Sequence, residues 1–424
     1  MAANSHRRKY RQKSHHQSHA EAQITPVLDG HHLVPTDEAI WIDSDESFLS
    51  ICNELADNGV FSFDTEFIGE DSYYPQTCLI QVATSNKVAL IDPFVIKDLS
   101  PLHALIADPK ITTILHSGSQ DLEPVARLYG KPPSAIFDTQ IAAGFVGYPW
   151  PISLTKIIES ILNHDVGGHF TFSQWDSRPL TNRQCIYAAD DVRYLIAIHD
   201  VLSKELDKLG RTDWAAEEFS KYTSLDGYKV DLFSIVKRIC RTKNPRKKEL
   251  QRIQAIASLR EEIAIKRNLP TRAIIPNECV IGLAKKPLET VNQLTSMKGF
   301  PKNTAKRYGK QILEAILEAP SLETTSMRKP QAIEKEAKTR QELDGVWSLF
   351  GAWCVGKQLS IGLVTNRPTF TDWFLALRDG KKIDDSPLLY GWRKEAISEF
   401  SDMLSGKSKI TFSYNTILNT KSSK

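Results

Sequence analysis

Short β-rich runs alternate with helix-like spacing between Ala39 and Leu209, and this pattern limits the possible folds more than any other feature of the chain. The β-rich runs read FSFDTEF, CLIQVA, KVALIDPF and ITTILH, beginning at residue 61. Strand segments interleaved with helical segments bury their apolar faces by forming a sheet covered with helices. We therefore expect a mixed α/β layer domain in this part of the chain.

Composition divides the remainder of the chain into further segments. A length of 424 residues suits about two or three domains. The first 20 residues contain no Leu, Ile or Val, and helical spacing replaces the strand pattern after a Lys- and Arg-rich stretch around Pro245. The predicted segments are a disordered basic tail at 1–25, the α/β domain at 26–222, a basic linker at 223–245, a helical domain at 246–319, a second linker at 320–339 and another helix-rich domain at 340–415.

Composition also limits the class of protein. The net charge of +3 is nearly neutral, so any nucleic-acid binding has to come from local clusters of Lys and Arg. The six cysteines are far apart and form no CxxC pair, and no run of about 18 apolar residues occurs. We therefore expect reduced thiols, no structural zinc site, no membrane contact and a cytoplasmic location. No protein partner is indicated.

The predicted strand Phe-Ser-Phe-Asp-Thr-Glu-Phe at 61–67 contains two acidic residues. Side chains alternate between the faces of a strand, so Asp64 and Glu66 share the face opposite the Phe side chains. Two carboxylates this close stay ionised together only when a cation lies between them, and hard oxygen ligands favour Mg²⁺ or Mn²⁺. The triplet also suits the solvent-facing side of a half-buried strand, so it does not define a metal site by itself.

A second acidic position lies in the segment from His116 to Asp121. This segment follows a β-branched run and contains a glycine turn, after which Val125 and Leu128 begin a helical spacing. Asp121 is therefore expected in the first turn of a helix. An acidic residue there also complements the helix dipole, which is a purely structural explanation.

A third acidic position lies in a predicted helix that begins near Thr181. Thr181 and Gln184 have the spacing of a capping box. Tyr187 and Asp191 are four residues apart, so they lie on the same face of the helix. Ordinary surface polarity would explain the pair equally well. Asp190 stands beside Asp191, and spacing alone does not decide which of the two faces inward.

Together these motifs stand in the order found in the DEDD exonucleases, and the chain resembles the ribonuclease D family of that group. The matching stretches are FDTEF, SYYPQTCLIQVA, ALIDPF, LHSGSQDLEPV and QWDSRPLTNRQCIYAADDVRYL. The resemblance is to the branch whose third motif is Tyr-x-x-x-Asp, which selects Tyr187 and Asp191 over Asp190. It implies an α/β nuclease domain of ribonuclease-H-like fold, with a mixed central sheet flanked by helices.

The resemblance also implies a reaction. Asp64, Glu66, Asp121 and Asp191 would bind two divalent ions, Mg²⁺ or Mn²⁺, about 3.5–4 Å apart. One ion would activate the attacking water, and the other would stabilise the leaving 3′ oxygen. Tyr187 would orient the water or help to deprotonate it. The implied activity is the 3′–5′ release of 5′-mononucleotides from RNA.

The segment 246–319 resembles the helicase-and-ribonuclease-D C-terminal (HRDC) domain. It reads LQRIQAIASLREEIAIKRNLPTRAIIPNECVIGLAKKPLETVNQLTSMKGF and then YGKQILEAI. Its positive residues are interspersed with apolar ones, which suits a helical bundle with a phosphate-binding face and equally suits a solvated surface. They are Lys266, Arg267, Arg272, Lys285, Lys286, Lys298, Lys302, Lys306, Arg307 and Lys310. The segment 347–404 resembles a second, divergent HRDC-like domain.

Four further features have competing interpretations. We expect Asp138 to cap a helix rather than bind metal, and His116 to be hydrogen-bonded scaffolding rather than a base. Arg178 precedes the third motif and either contacts a phosphate or stabilises the fold. The C-terminal aromatic residues are expected in a core rather than stacked on bases; they are Trp373, Phe374 and Trp392.

RNA is the expected substrate, and the resemblance implies processing of tRNA precursors at their 3′ ends. A DEDD exonuclease acting on DNA is one alternative, because the residue that would read the 2′-hydroxyl is not visible in the sequence. A non-catalytic nucleic-acid-binding scaffold is another, which the complete acidic set and Tyr187 disfavour. A helicase is disfavoured because the sequence Gly406-Lys407-Ser408 lacks the upstream glycine of a phosphate-binding loop.

Overall fold

The computed structural model describes residues 27–167, 174–241, 245–319, 332–383 and 386–407. It consists of an α/β domain, a helical domain that follows it, and C-terminal helices that pack back onto the first domain. The predicted tail at 1–25 lies outside the described residues, as does most of the predicted linker at 320–339. No helix within the described ranges is long and apolar enough to cross a membrane.

The α/β domain is built on one mixed sheet. Its strands are β1 (Ile40–Ile42), β2 (Val60–Ile68), β3 (Gln76–Ala83), β4 (Val88–Ile91), β5 (Thr112–Leu115) and β6 (Ile136–Asp138). Their order across the sheet is β1-β4-β3-β2-β5-β6. The pairs β2–β3 and β3–β4 are antiparallel, whereas β1–β4, β2–β5 and β5–β6 are parallel. The predicted mixed sheet is confirmed, and β2, which carries the acidic pair, is a central strand.

Helices cover both faces of this sheet. They are α1 (Asp45–Asn58), α2 (Ser100–Ile106), α3 (Thr139–Phe145), α4 (Leu154–Leu162), α5 (Asn182–Arg193), α6 (Leu195–Lys208) and α7 (Thr212–Phe219), with a π-helix at Val125–Tyr129. Phe61 and Phe63 pack with residues of α1 and α2 on one face. On the opposite face the Ser62 hydroxyl donates to the Val192 carbonyl of α5 at 2.8 Å. The alternation predicted for β2 is therefore present.

The helical domain comprises α8 (Leu232–Cys240), α9 (Lys247–Arg267), α10 (Thr271–Ile274), α11 (Asn277–Lys285), α12 (Val291–Ser296) and α13 (Lys302–Glu318). Two 3₁₀ turns, Ser220–Thr223 and Leu225–Tyr228, connect it to α7. The segment 223–245, predicted as a linker, differs from that expectation because it contains α8. Ile235 and Ile239 on one side of α8 are buried in the domain core, and its Lys and Arg residues occupy the other side.

The C-terminal unit comprises α14 (Ala337–Gly356), α15 (Ile361–Val364), α16 (Arg367–Asp379) and α17 (Gly391–Leu404), with 3₁₀ turns at Ala332–Lys335 and Pro387–Leu389. Its apolar side chains and those of α3, α4, α6 and α7 form one continuous cluster. All three aromatic side chains that were expected in a core are buried. The unit predicted at 340–415 therefore shares a hydrophobic core with the α/β domain.

Two buried charged residues fasten this unit to the α/β domain. The Arg211 guanidinium donates to the carbonyl oxygens of Phe145 at 2.5 Å, Gln358 at 2.6 Å and Lys357. The Glu218 carboxylate of α7 accepts from Trp392 Nε1 at 2.7 Å and from Arg393 at 2.6 Å. Buried charges are costly unless they are paired or hydrogen-bonded, so these contacts specify how the unit docks.

Replacing Trp392 with Ala should destabilise the α/β domain together with the C-terminal unit. The indole is 1% exposed and packs edge-on against Phe145, with ring centroids 4.6 Å apart. Truncating a buried Trp to Ala typically costs about 3–5 kcal/mol. We expect urea unfolding, followed by circular dichroism, to show one transition at lower urea. Val355→Ala is the control, because its side chain is 59% exposed. Separate melting of the C-terminal helices would contradict a shared core.

Candidate active site

Three parts of the chain bring four carboxylates into one region. Asp64 and Glu66 lie on β2, Asp121 lies in the turn after β5, and Asp191 lies in α5. Helix α5 packs across β2, β3 and β4, on the face of β2 that Ser62 shares with the acidic pair. The Asp64 carboxyl interacts electrostatically with the other three carboxyl groups, so residues from distant stretches of the sequence meet at one place.

Burial raises the pKa of each carboxyl group in this cluster, and repulsion within the cluster adds to it at Asp64, Glu66 and Asp191. Burial is the largest cause at Asp64, where the charges of Asp121, Asp191 and Glu66 add to it. Burial and Asp121 raise the pKa of Glu66 to about 8. The pKa of Asp191 rises through burial and then through Glu66, and burial raises that of Asp121. The four groups therefore do not all ionise near neutral pH unless positive charge is brought among them.

The donor set fits a hard divalent cation. Carboxylate oxygens are the ligands that Mg²⁺ and Mn²⁺ prefer, and a cation would lower the pKa values that the repulsion raises. Within the described ranges, no three His, Cys, Asp or Glu side chains are already arranged as a closed set of metal ligands.

The structure places Asp121 before the helix rather than in its first turn. Gly118 begins the turn, where an added Cβ would lie 3.0 Å from a Leu115 methyl carbon. Leu122 N–H bonds back to the Gly118 carbonyl, and the helical residues follow. The Asp121 side chain is 8% exposed and accepts a hydrogen bond from the Thr65 hydroxyl of β2. Asp121 is therefore oriented by β2. The helix-dipole explanation does not apply, because Asp121 lies before the helix and not in its first turn.

Asp190 and Asp191 are adjacent in α5 but have different partners. Its start is the predicted capping box of Thr181 and Gln184. Asp191 interacts with Glu66 and accepts a hydrogen bond from Tyr187, while Asp190 forms an ion pair with Arg193 at 3.2 Å. The structure thus brings Asp191 to the other carboxylates. Burial and the neighbouring carboxylates, Asp191 foremost, raise the pKa of Tyr187, so it is a phenol at neutral pH.

Asp138 and His116 support the turn that carries Asp121. The Asp138 carboxylate caps α3, accepting from Gln140 N–H at 2.8 Å, and it also accepts from Ser117 N–H at 3.1 Å. His116 is hydrogen-bonded to Thr139 Oγ1 and to the Ile152 carbonyl, at 2.9 Å in each case. The expectations of a cap and of hydrogen-bonded scaffolding are both confirmed.

Arg178 stabilises the fold. Its guanidinium forms an ion pair with Asp92, at 2.6 Å from Nε and 2.9 Å from Nη2. It also donates to the carbonyls of Cys78 at 2.6 Å and Trp175 at 2.9 Å. These contacts tie the segment before α5 to strands β3 and β4, so the structural interpretation applies and the guanidinium has no nitrogen without a partner.

Thr65 and Tyr222 are two supporting residues that the sequence motifs alone do not identify. Thr65 stands between the two acidic residues of β2 and orients Asp121, and its position inside the acidic motif was the available signal. Tyr222 donates to Asp138 Oδ2 at 2.7 Å. It is 84 residues from Asp138 along the chain, so no local pattern indicates this contact.

A cleft of about 650 Å³ lies between the turn that carries Asp121 and the helical domain, and none of the four carboxylates lines it. Thr65 and Gln120, which are next to Glu66 and Asp121 in the sequence, line part of it, and the remaining wall contains Glu123 and Asp231 together with aromatic and positive side chains. These are Tyr73, Tyr74, Tyr228, Arg127, Lys229 and Arg238. Such a mixture of aromatic and cationic groups is typical of surfaces that bind single-stranded nucleic acid.

Comparisons with known proteins identify relatives for both domains. Residues 39–207 match the family model described as a 3′–5′ exonuclease, and residues 249–316 match the HRDC domain. Ribonuclease D of Bartonella henselae is 30% identical, covering 87% of this chain and 90% of the relative. That of Haemophilus influenzae is 31% identical, covering 69% and 73%. The crystal structure of Escherichia coli RNase D, an exoribonuclease involved in structured RNA processing, matches with a TM-score of 0.68 and 28% identity, covering 88% of this chain and 99% of that one.

The mixed sheet, the acidic cluster and the family match define a 3′–5′ exonuclease domain followed by an HRDC domain. Because the likeness extends over most of both chains, the chain belongs to the ribonuclease D family and is a 3′–5′ exoribonuclease. The alternatives of an enzyme acting on DNA and of a non-catalytic scaffold are correspondingly disfavoured. A second HRDC-like domain at the C-terminal end stays a prediction.

The raised pKa of Glu66 makes the stability of the metal-free protein depend on pH. A carboxyl group whose pKa rises from 4.5 to about 8 on folding holds its proton in the folded state, so the free energy of unfolding falls as pH rises through that window. The Gln side chain in the Glu66→Gln variant does not ionise. Over the same pH range, the free energy of unfolding of this variant should therefore fall by roughly 1–3 kcal/mol less than that of the unaltered protein, after allowance for solvent screening. Urea unfolding in chelator at several pH values measures this, and parallel curves for the two proteins would refute it.

Proposed function

We propose that this enzyme removes nucleotides from RNA 3′ ends by a two-metal mechanism and releases 5′-mononucleotides. The convergence of Asp64, Glu66, Asp121 and Asp191, with raised pKa values, carries this proposal. Four ionised carboxylates carry the negative charge that two divalent cations neutralise. The donor set is therefore matched in charge, as well as in atom type, to a pair of Mg²⁺ or Mn²⁺ ions.

Each carboxylate has a proposed place in this arrangement. Asp64, Glu66 and Asp191 would hold one ion, and Asp64 and Asp121 the other. When bound, such ions lower the pKa of water and stabilise negative charge on phosphoryl oxygens. Thr65 keeps the Asp121 carboxylate turned towards β2 through its hydrogen bond.

Tyr187 is proposed to orient the attacking water. Its hydroxyl lies beside the carboxylates, hydrogen-bonded to Asp191. Because its pKa is raised, the phenol keeps its proton and serves as a hydrogen-bond donor and acceptor rather than as a base. Of the two tasks that the family resemblance implied, orientation of the water is therefore favoured over its deprotonation.

The proposed substrates include tRNA precursors. The E. coli relative is described as acting in structured RNA processing, and a comparable task here would need a single-stranded 3′ end to reach the carboxylates. The aromatic and positive walls of the 650 Å³ cleft suit such a strand. A time course on a 5′-labelled tRNA precursor with Mg²⁺, with and without chelator, tests cleavage, polarity and metal requirement together. We expect stepwise shortening that chelator stops; internal cleavage or chelator-resistant turnover would overturn the proposal.

Asp64→Asn and Asp191→Asn should each lower hydrolysis by about a thousandfold or more, because several kcal/mol of metal-dependent transition-state stabilisation would be lost. Asp190→Asn is the matched control, since Asp190 is adjacent in sequence but pairs with Arg193. It should retain activity within about tenfold of the unaltered enzyme. Mononucleotide release is the measurement, with circular dichroism to verify folding. Full turnover by a folded Asp64→Asn protein would refute the assigned role.

Tyr187→Phe should lower kcat by roughly a hundredfold, in the range observed when a positioned acid–base or orienting group is removed. The ring is retained, so packing against Trp175 at 6.2 Å between centroids should persist. The Mg²⁺ concentration for half-maximal rate should change little, because the carboxylates remain. Single-turnover kinetics across a Mg²⁺ titration separate these effects. An unchanged kcat would exclude Tyr187 from the reaction.

A further inference from the structure

A second cavity, of about 510 Å³, lies in the HRDC domain, away from the carboxylates. It is formed where the end of α9 and helix α10 meet the beginning of α13. Three of the residues that line the cavity are positive, namely Arg267, Lys302 and Arg307, and none of the lining residues is acidic. Among the described residues, no ion pair joins these three cations to a carboxylate. Their charge is therefore available to a ligand.

The N-terminus of α13 opens onto this cavity with its hydrogen-bond donors unused. The helix follows Pro301 and has no side-chain cap. Ala305 N–H is the first to bond within the helix, to the Pro301 carbonyl at 3.0 Å. The backbone N–H groups of the preceding residues, 302 to 304, are therefore free of intrahelical partners, and the positive end of the helix dipole lies beside them.

Thr304 supplies an independent indication of a ligand. The side chain is 6% exposed and lines the cavity. Within the described part of the chain, its hydroxyl has no hydrogen-bond partner. The hydroxyl can therefore donate a hydrogen bond to a group bound in the cavity. A hydroxyl donor, free backbone N–H groups and three cations together fit an oxyanion.

The cavity is held in a fixed relation to the strand of the acidic pair. Residues of the same α9–α10 connection contact the loop between β2 and β3: Tyr74 N–H donates to Asn268 Oδ1 at 3.1 Å, and Arg272 donates to the Glu70 carbonyl at 2.5 Å. This loop continues directly from Asp64 and Glu66. These contacts therefore tie the cavity wall to the loop that continues from β2.

We propose that this cavity binds a backbone phosphate of the RNA substrate, upstream of the 3′ end. The inference rests on the proposed function and deepens it, since it gives one part of the HRDC domain a defined contact. Phosphate contacts position a nucleic acid without reading its sequence, so the site would favour long substrates of any sequence over short ones.

Binding measured in chelator, where no hydrolysis occurs, tests the site separately from catalysis. The probes are a long single-stranded RNA, a dinucleotide and inorganic phosphate. The variants are Lys302→Ala, Arg307→Ala and Thr304→Val, the last nearly isosteric. Lys306→Ala is the matched control, because Lys306 is on the same helix and carries the same charge but does not line the cavity. Circular dichroism verifies the fold of each variant.

Each cavity variant should weaken long-RNA binding about three- to tenfold. The two charge variants should also reduce the slope of log K against log salt by about 0.7. Dinucleotide binding should not change, and Lys306→Ala should have a clearly smaller effect on long RNA. The proposal would be overturned if the cavity variants bound long RNA as tightly as the unaltered protein does. This holds even if the cavity binds inorganic phosphate. If the unaltered enzyme binds RNA through this cavity but does not hydrolyse it, the proposed function fails and this inference stands.

Discussion

Repulsion between half-buried and buried carboxylates is the constraint on which the functional half of this structure depends. Burial, with repulsion from neighbouring carboxyl groups, raises the pKa of Asp64, Glu66 and Asp191. Such an arrangement costs stability, because charges that are removed from water repel each other more strongly. Divalent cations would relieve this repulsion, so the arrangement that destabilises the metal-free protein favours the binding of metal.

The surrounding fold supports that arrangement from several sides. Ser62 fixes α5 on the sheet through the Val192 carbonyl, and Thr65 holds Asp121 from the strand side. Asp138 ties the turn before Asp121 to α3 and, through Tyr222, to the segment that leads to the HRDC domain. The position of one carboxylate is therefore connected to the domain boundary by successive hydrogen bonds. Removing any one of them would loosen the turn without deleting a carboxylate.

Features that depend on interactions between nearby residues could be predicted from the sequence, whereas features that depend on distant residues could not. The alternation of β2 and the capping box at Thr181 are local, so periodicity and spacing predicted them. The preference for Asp191 over Asp190 came from the family resemblance alone, since the deciding partners are Glu66 and Arg193. Strand alternation could show that two acids share a face, but not which helix would cover it.

The predictions that differ from the structure concern contacts between distant segments. Helix α8 has a basic surface, and its burial depends on core residues that come later in the chain. The C-terminal unit was predicted as a separate domain, whereas Trp392 bonds to Glu218, 174 residues away. Composition describes each segment by itself and therefore divides the chain where its character changes. A core shared by residues of α3 and α17 has no signature in either segment.

Calorimetric titration of the metal-free enzyme with Mn²⁺ measures the property that the clustered carboxylates are proposed to have. We expect saturable binding of two ions per chain, with release of protons from the carboxyl groups of raised pKa. A protein lacking the Asp64 carboxylate should lose this binding, while one lacking the Asp190 carboxylate should keep it. The absence of saturable binding, or equal binding by all three proteins, would show that the clustered carboxylates do not hold metal.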